Sequence, residues 1–165
     1  MPGDIYRFLT ADHARLDALL QRAAASPEAI EPSAYAEFRA GLLKHIGMEE
    51  KILLPAAQRI RGGEPLSVAA KLRLDHGALA ALLVPTPTPA IVRAIRTILE
   101  AHNRIEEGAG GLYEQCENLA GAEAEQILAQ LSSAPEVRVA PHMDALKVIE
   151  ATRRALAKAG YDLEV

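Results

Sequence analysis

Two local patterns occur twice in this chain, in the same order. Residues 12–20 read DHARLDALL and residues 75–83 read DHGALAALL, both of the form DHxxLxxLL. Each is followed by HxxxEE, at residues 45–50 and again at 102–107. Four of the five histidines therefore form a series H, HxxxE, H, HxxxE. At 3.6 residues per turn, positions i and i+4 stand side by side on a helix, so each HxxxE sets an imidazole beside a carboxylate. Four helices that share a dinuclear metal site would carry such a series.

Composition agrees with helices. Half of the 165 residues are apolar, only 4% are aromatic and none is Trp. Alanine and leucine dominate with charges interspersed, which favours an all-α chain over a sandwich or barrel. Breakers at 26–33, 61–65 and 85–89 separate helical segments at about 4–25, 33–60, 65–84 and 89–107. Asp4, Ser33 and Thr88 are the expected N-caps. Gly108-Ala109-Gly110-Gly111 interrupts the fourth segment, which is expected to resume at 112–119, and further helices are expected at about 121–132 and 142–159. Short connections predict an antiparallel up-down-up-down four-helix bundle, with the additional C-terminal helices covering one flank.

The histidines fall inside the apolar stripes. Leu9, His13, Leu16 and Leu20 share one face, as do Leu72, His76, Leu79 and Leu83. Phe38, Leu42, His45, Glu49 and Leu53 share another, and so do Ile95, Ile98, His102 and Glu106. Counted along antiparallel helices, all six polar groups reach similar depths. Burying two unpaired carboxylates costs several kcal/mol each. A metal centre resolves that cost, and a His–Glu hydrogen-bond network is the competing reading.

These residues resemble the hemerythrin-like (HHE cation-binding) family of non-haem di-iron four-helix bundles, over about residues 4–119. Leu53-Leu54-Pro55 after Glu49-Glu50 fits the same family. The resemblance implies a single hemerythrin-like domain over 1–165, with the bundle at about 4–119 and a helical extension at about 120–165. It implies that His13 and His45 hold one iron, that His76 and His102 hold the other, and that Glu49 and Glu106 bridge the two. The implied cofactor is a pair of iron ions with an oxo or hydroxo bridge, other divalent transition metals being alternative occupants. Imidazole and carboxylate donors suit iron, and no thiolate set for zinc is present.

The chain departs from the oxygen carriers of that family. Ala80 stands where they have a second histidine on the third helix, which opens a coordination position and argues against simple reversible O2 carriage. Their spacing would select Glu107 as the last carboxylate, whereas the internal repeat selects Glu106. Glu107 and Glu50 are then outer partners or solvated. Tyr113 is a candidate to fill the place vacated at Ala80, with a packed core tyrosine as the default. His142 is a candidate fifth ligand leaning over the site from the start of the last helix, against a surface position. Asp12 and Asp75 face about 100° away from their own histidines, and serve either a histidine on an adjacent helix or an arginine.

The expected function is binding or sensing of O2 or NO at an open di-iron centre. The alternatives are an enzyme turning over peroxide or NO and, ranked lower for want of a cysteine-bearing N-terminal segment, iron handling or iron–sulfur repair. The expected partner is a small diatomic or peroxide ligand. A net charge of −4 with mixed signs speaks against nucleic acid and membrane partners. A single cysteine and no signal-like N-terminus suggest a cytoplasmic protein.

Overall fold

The computed structural model describes residues 1–165 and is all-helical. Its elements are α1 (Asp4–Ala23), α2 (Pro32–Met48), α3 (Leu54–Ile60), α4 (Ala69–Leu82), α5 (Pro89–Glu107), α6 (Leu112–Ala120), α7 (Ala124–Ser132) and α8 (Leu146–Ala159). No helix is long and apolar enough to cross a membrane.

Two N-caps differ from the sequence reading. Gly3 precedes α1, with Asp4 already in its first turn. Glu31 caps α2 by accepting from the Ser33 and Ala34 amides, with Pro32 opening the helix. Thr88 caps α5 as expected, accepting from the Ile91 amide at 3.2 Å. The expected continuous helix over 33–60 instead contains a π-helical turn at Glu49–Leu53, where the Leu54 amide bonds to the Glu49 carbonyl. Pro55 explains it: the ring removes an amide and crowds the carbonyl four residues back, so the helix widens for one turn.

The core has two apolar layers. One joins Leu16 and Leu20 of α1, Leu42 of α2, Leu79 of α4 and Ile95 and Ile98 of α5, closed by Leu156 and Ala159 of α8. The other joins Ile5 and Leu9, Met48, Leu53 and Leu72 with Leu112 and Tyr113 of α6 and Ile127 and Leu131 of α7. His13, His45 and His76 each lie between a leucine of the first layer and an apolar residue of the second, so the polar groups occupy the seam. The tail helices do not share a flank: α7 packs on α1 and the π turn, and α8 packs on α4.

Candidate metal centre

Six side chains meet at the seam. His13, His45, Glu49 and Glu106 form one group whose donor atoms lie within 4.8 Å of one another, and Glu49, His76, His102 and Glu106 form a second. The two carboxylates belong to both groups. All six residues are buried, Glu49 and Glu106 completely. His102 Nε2 stands 2.7 Å from Glu106 Oε1, and His76 Nε2 stands 3.0 Å from Glu49 Oε2. On the other side, His13 Nε2 is 3.3 Å from Glu106 Oε2 and His45 Nε2 is 3.4 Å from Glu49 Oε1.

Proximity here is not hydrogen bonding. Glu49 Oε2, Glu106 Oε1 and His76 Nε2 are buried with no aligned partner. An unpaired buried polar atom costs about 1–3 kcal/mol, and more when charged. Lone pairs that converge without facing one another fit a cation between them. The donor set of four imidazoles and two carboxylates has the chemistry that iron accepts.

Each imidazole is anchored from behind by a carboxylate on another element. His45 Nδ1 pairs with Asp12 at 2.8 Å and His76 Nδ1 with Glu50 at 2.7 Å. His102 Nδ1 pairs with Asp75 at 3.1 Å, and His13 Nδ1 pairs with Glu107. A carboxylate only accepts, so Nδ1–H donates and Nε2 is turned inward. The doubled sequence motif is thus used in full: the Asp of each DH holds the histidine of the HxxxEE that follows it. The second Glu of each HxxxEE holds the histidine of the other DH.

The two halves differ further out. Asp12 also pairs with Arg15, which is exposed. Asp75 is fully buried and bound by Lys71 at 2.6 Å. Lys71 in turn donates to the Ala159 carbonyl at 2.8 Å, so the end of α8 steadies the second half. Lys71 was missed in the sequence, although its i,i+4 spacing from Asp75 was readable.

The charges couple strongly. Burial alone would lower the His45 pKa, but Glu49 and Asp12 outweigh it and hold the imidazole up at about 10. His102 behaves alike: burial is overcome by Asp75 and Glu106, and the value is again about 10. Burial would raise Glu49, yet the adjoining His45 and His76 keep it well below the usual carboxylate range.

Tyr113 enters the half opposite to the one expected. Ala80 lies on α4, with His76, whereas the Tyr113 hydroxyl donates to Glu49 at 2.7 Å and stands 3.0 Å from His13 and 3.1 Å from His45. Burial and the two carboxylates push its pKa well above 10. The glycine break makes this placement. A Cβ at Gly111 would sit 2.6 Å from the Ile105 carbonyl and 2.7 Å from that of Glu106, and Gly110 has φ +71°. The chain can therefore fold back across the end of α5 and aim α6 at the seam. Tyr6 packs edge-on against the Tyr113 ring and donates to the Glu107 carbonyl at 2.8 Å.

His142 lies elsewhere. The last helix begins at Leu146 rather than 142, and His142 is exposed in the preceding segment. Its ring faces Tyr35 at 6.3 Å, and its Nδ1 is 3.3 Å from the Val84 carbonyl.

The family model of the hemerythrin HHE cation binding domain matches residues 4–84. Residues 4–84 thus resemble the hemerythrin HHE family. That segment carries His13, His45, Glu49 and His76. His102 and Glu106 lie beyond the HHE match, and the fold brings them to the same seam. No curated protein and no solved structure matches the chain. A cation binding domain with buried His/Glu groups able to hold a metal is the function carried by the HHE match and the geometry together.

Proposed function

We propose that the seam holds two irons, one on His13 and His45, the other on His76 and His102, with Glu49 and Glu106 bridging. The observation that carries this reading is that Glu49 and Glu106 each belong to both donor groups. The surrounding scaffold is read as an up-down-up-down bundle of α1, α2 with α3, α4 and α5. Residues 120–165 complete a single domain.

The proposed activity is binding or sensing of O2 or NO in a cytoplasmic protein, with no nucleic acid or membrane partner. Bound iron supplies the electrons by which a diatomic ligand is held. The protein turns each Nε2 inward, keeps Glu49 ionised and sets the six groups between two apolar layers. Only two imidazoles serve each metal, which leaves positions for an exogenous ligand. A second reading, turnover of peroxide or NO, is favoured by an open cleft that reaches His13, His45 and His102. Iron handling ranks below both.

Metal analysis of the purified chain, with absorption spectra of the reduced protein mixed with O2 or NO, tests the reading. A reversible band supports binding, whereas rapid autoxidation with peroxide consumption supports turnover. A chain that neither contains nor takes up a transition metal overturns both. His76→Ala should lose one iron preferentially, and equal retention of both rejects the ligand assignment.

A further inference from the structure

The cleft above the seam has a volume of about 460 Å³. One side is the α1 stripe His13, Leu16, Leu20, and the other runs through Arg96, Leu99 and His102 of α5. Leu16 and Leu20 belong to the same apolar layer as Ile95 and Ile98. Moving into that layer therefore means moving forward along α1 and backward along α5. The cleft is a lengthwise slot with His13 and His102 at its inner end and Arg96 at its outer end. Six residues separate Arg96 from His102, a span of about 9 Å at 1.5 Å per residue.

A diatomic ligand does not account for this volume. It is about fifteen times the roughly 30 Å³ share of one water in the liquid. It falls within the range of about 300–1,000 Å³ typical of small-molecule sites. The walls carry an apolar stripe of Leu16, Leu20, Leu42 and Leu79, all buried, among polar residues. The outer end carries Arg96, with the carboxylates of Asp17 and Glu100 also in the lining. Arg96 forms no ion pair, whereas Glu100 is bound by Arg104 at 2.6 Å and Asp17 accepts from Gln21 at 2.6 Å. At the inner end Glu49 lines the cleft, and the buried Oδ1 of Asn103 lacks a hydrogen-bond partner.

We propose that the slot binds a slender aliphatic carboxylate, its carboxylate on Arg96 and its chain over the leucines towards His102. The binding needs no metal, so it stands or falls separately from the di-iron reading. Calorimetry on the full chain, metal-free and iron-loaded, uses octanoate, decanoate and decylammonium as probes. Decanoate should bind in both forms, each added methylene tightening binding by up to about fourfold until the slot is full. Decylammonium should bind several-fold more weakly. Arg96→Gln should weaken decanoate by about fivefold, as suits an exposed charge pair. Leu99→Trp, which narrows the slot at a partly buried wall residue, should abolish binding while helical circular dichroism is retained. On the unmutated chain a photoreactive diazirine decanoate should label residues 16–21 and 96–103. The proposal is overturned by no decanoate binding, by equal affinity for decylammonium or by labelling elsewhere. Indifference to Arg96→Gln also overturns it, since a carboxylate seated on the metals instead would give that result.

Discussion

Removing one oxygen, by Tyr113→Phe, tests how the seam is held together without metal. The hydroxyl donates to Glu49 at 2.7 Å, and Glu106 lies 3.2 Å away. Neither carboxylate has any solvent exposure, so no water replaces the lost donor. A hydrogen bond to a charged group contributes about 1.5–3 kcal/mol, and with one donor proton only one such bond is lost. The metal-free variant is therefore expected to lose about 2 kcal/mol, a fall of roughly 4–8 °C in Tm for a chain of this size. The sign with pH follows from Glu49, whose folded pKa lies below the ordinary 4.5. Its ionised state stabilises the fold above that value, and the contribution fades as pH falls through the depressed one. The gap between variant and parent should then narrow in acid. Iron loading engages Glu49 directly and should close most of the gap at neutral pH. Urea and thermal unfolding of both proteins, with and without metal, give the answer. A metal-free variant within 0.5 kcal/mol or so of the parent would refute the reasoning, because typical surface changes are that small.

The outer carboxylates should act on their own halves. Asp12→Asn is expected to weaken the metal on His13 and His45, and Asp75→Asn the one on His76 and His102, by about 10–100-fold each, measured by stepwise metal titration. Loss of both metals alike in either variant would contradict the pairing. Gly111→Ala drives a Cβ against three carbonyl oxygens and should cost about 2 kcal/mol or more, seen as a lower Tm together with exposure of Tyr113 in its ultraviolet spectrum. Because His45 and His102 are held at about 10 without metal, they carry protons at neutral pH that a cation must displace. Metal uptake should release about two protons per chain and tighten as pH rises from about 6 to 9. Calorimetry in buffers of different ionisation enthalpy checks this, and a flat pH profile would exclude it.

How much was legible depended on how local the cause was. The apolar period around His13, His45, His76 and His102 is a property of single helices, and the structure places all four at one seam. The 100° offset of Asp12 and Asp75 was equally readable, but their partners were not. Which histidine each reaches depends on the distance between helices. Glu50 and Glu107 show the same limit: a residue one step past an inward carboxylate can face solvent or a neighbouring ring, and only packing decides. Pro55 lay inside the helix expected over 33–60, and the π-helical turn before it appears only in the structure.

Sequence alone determined the candidate donors and their inward phase, because both follow from residue identity and the 3.6-residue period. Tertiary structure decided the rest. The fold-back at Gly108–Gly111 set Tyr113 beside His13 and His45 instead of beside Ala80, and α8 delivered a carbonyl to Lys71. The separation of α1 from α5 opened a slot over the His/Glu seam. These are relations between elements distant in the chain, and no local period encodes the space between two helices.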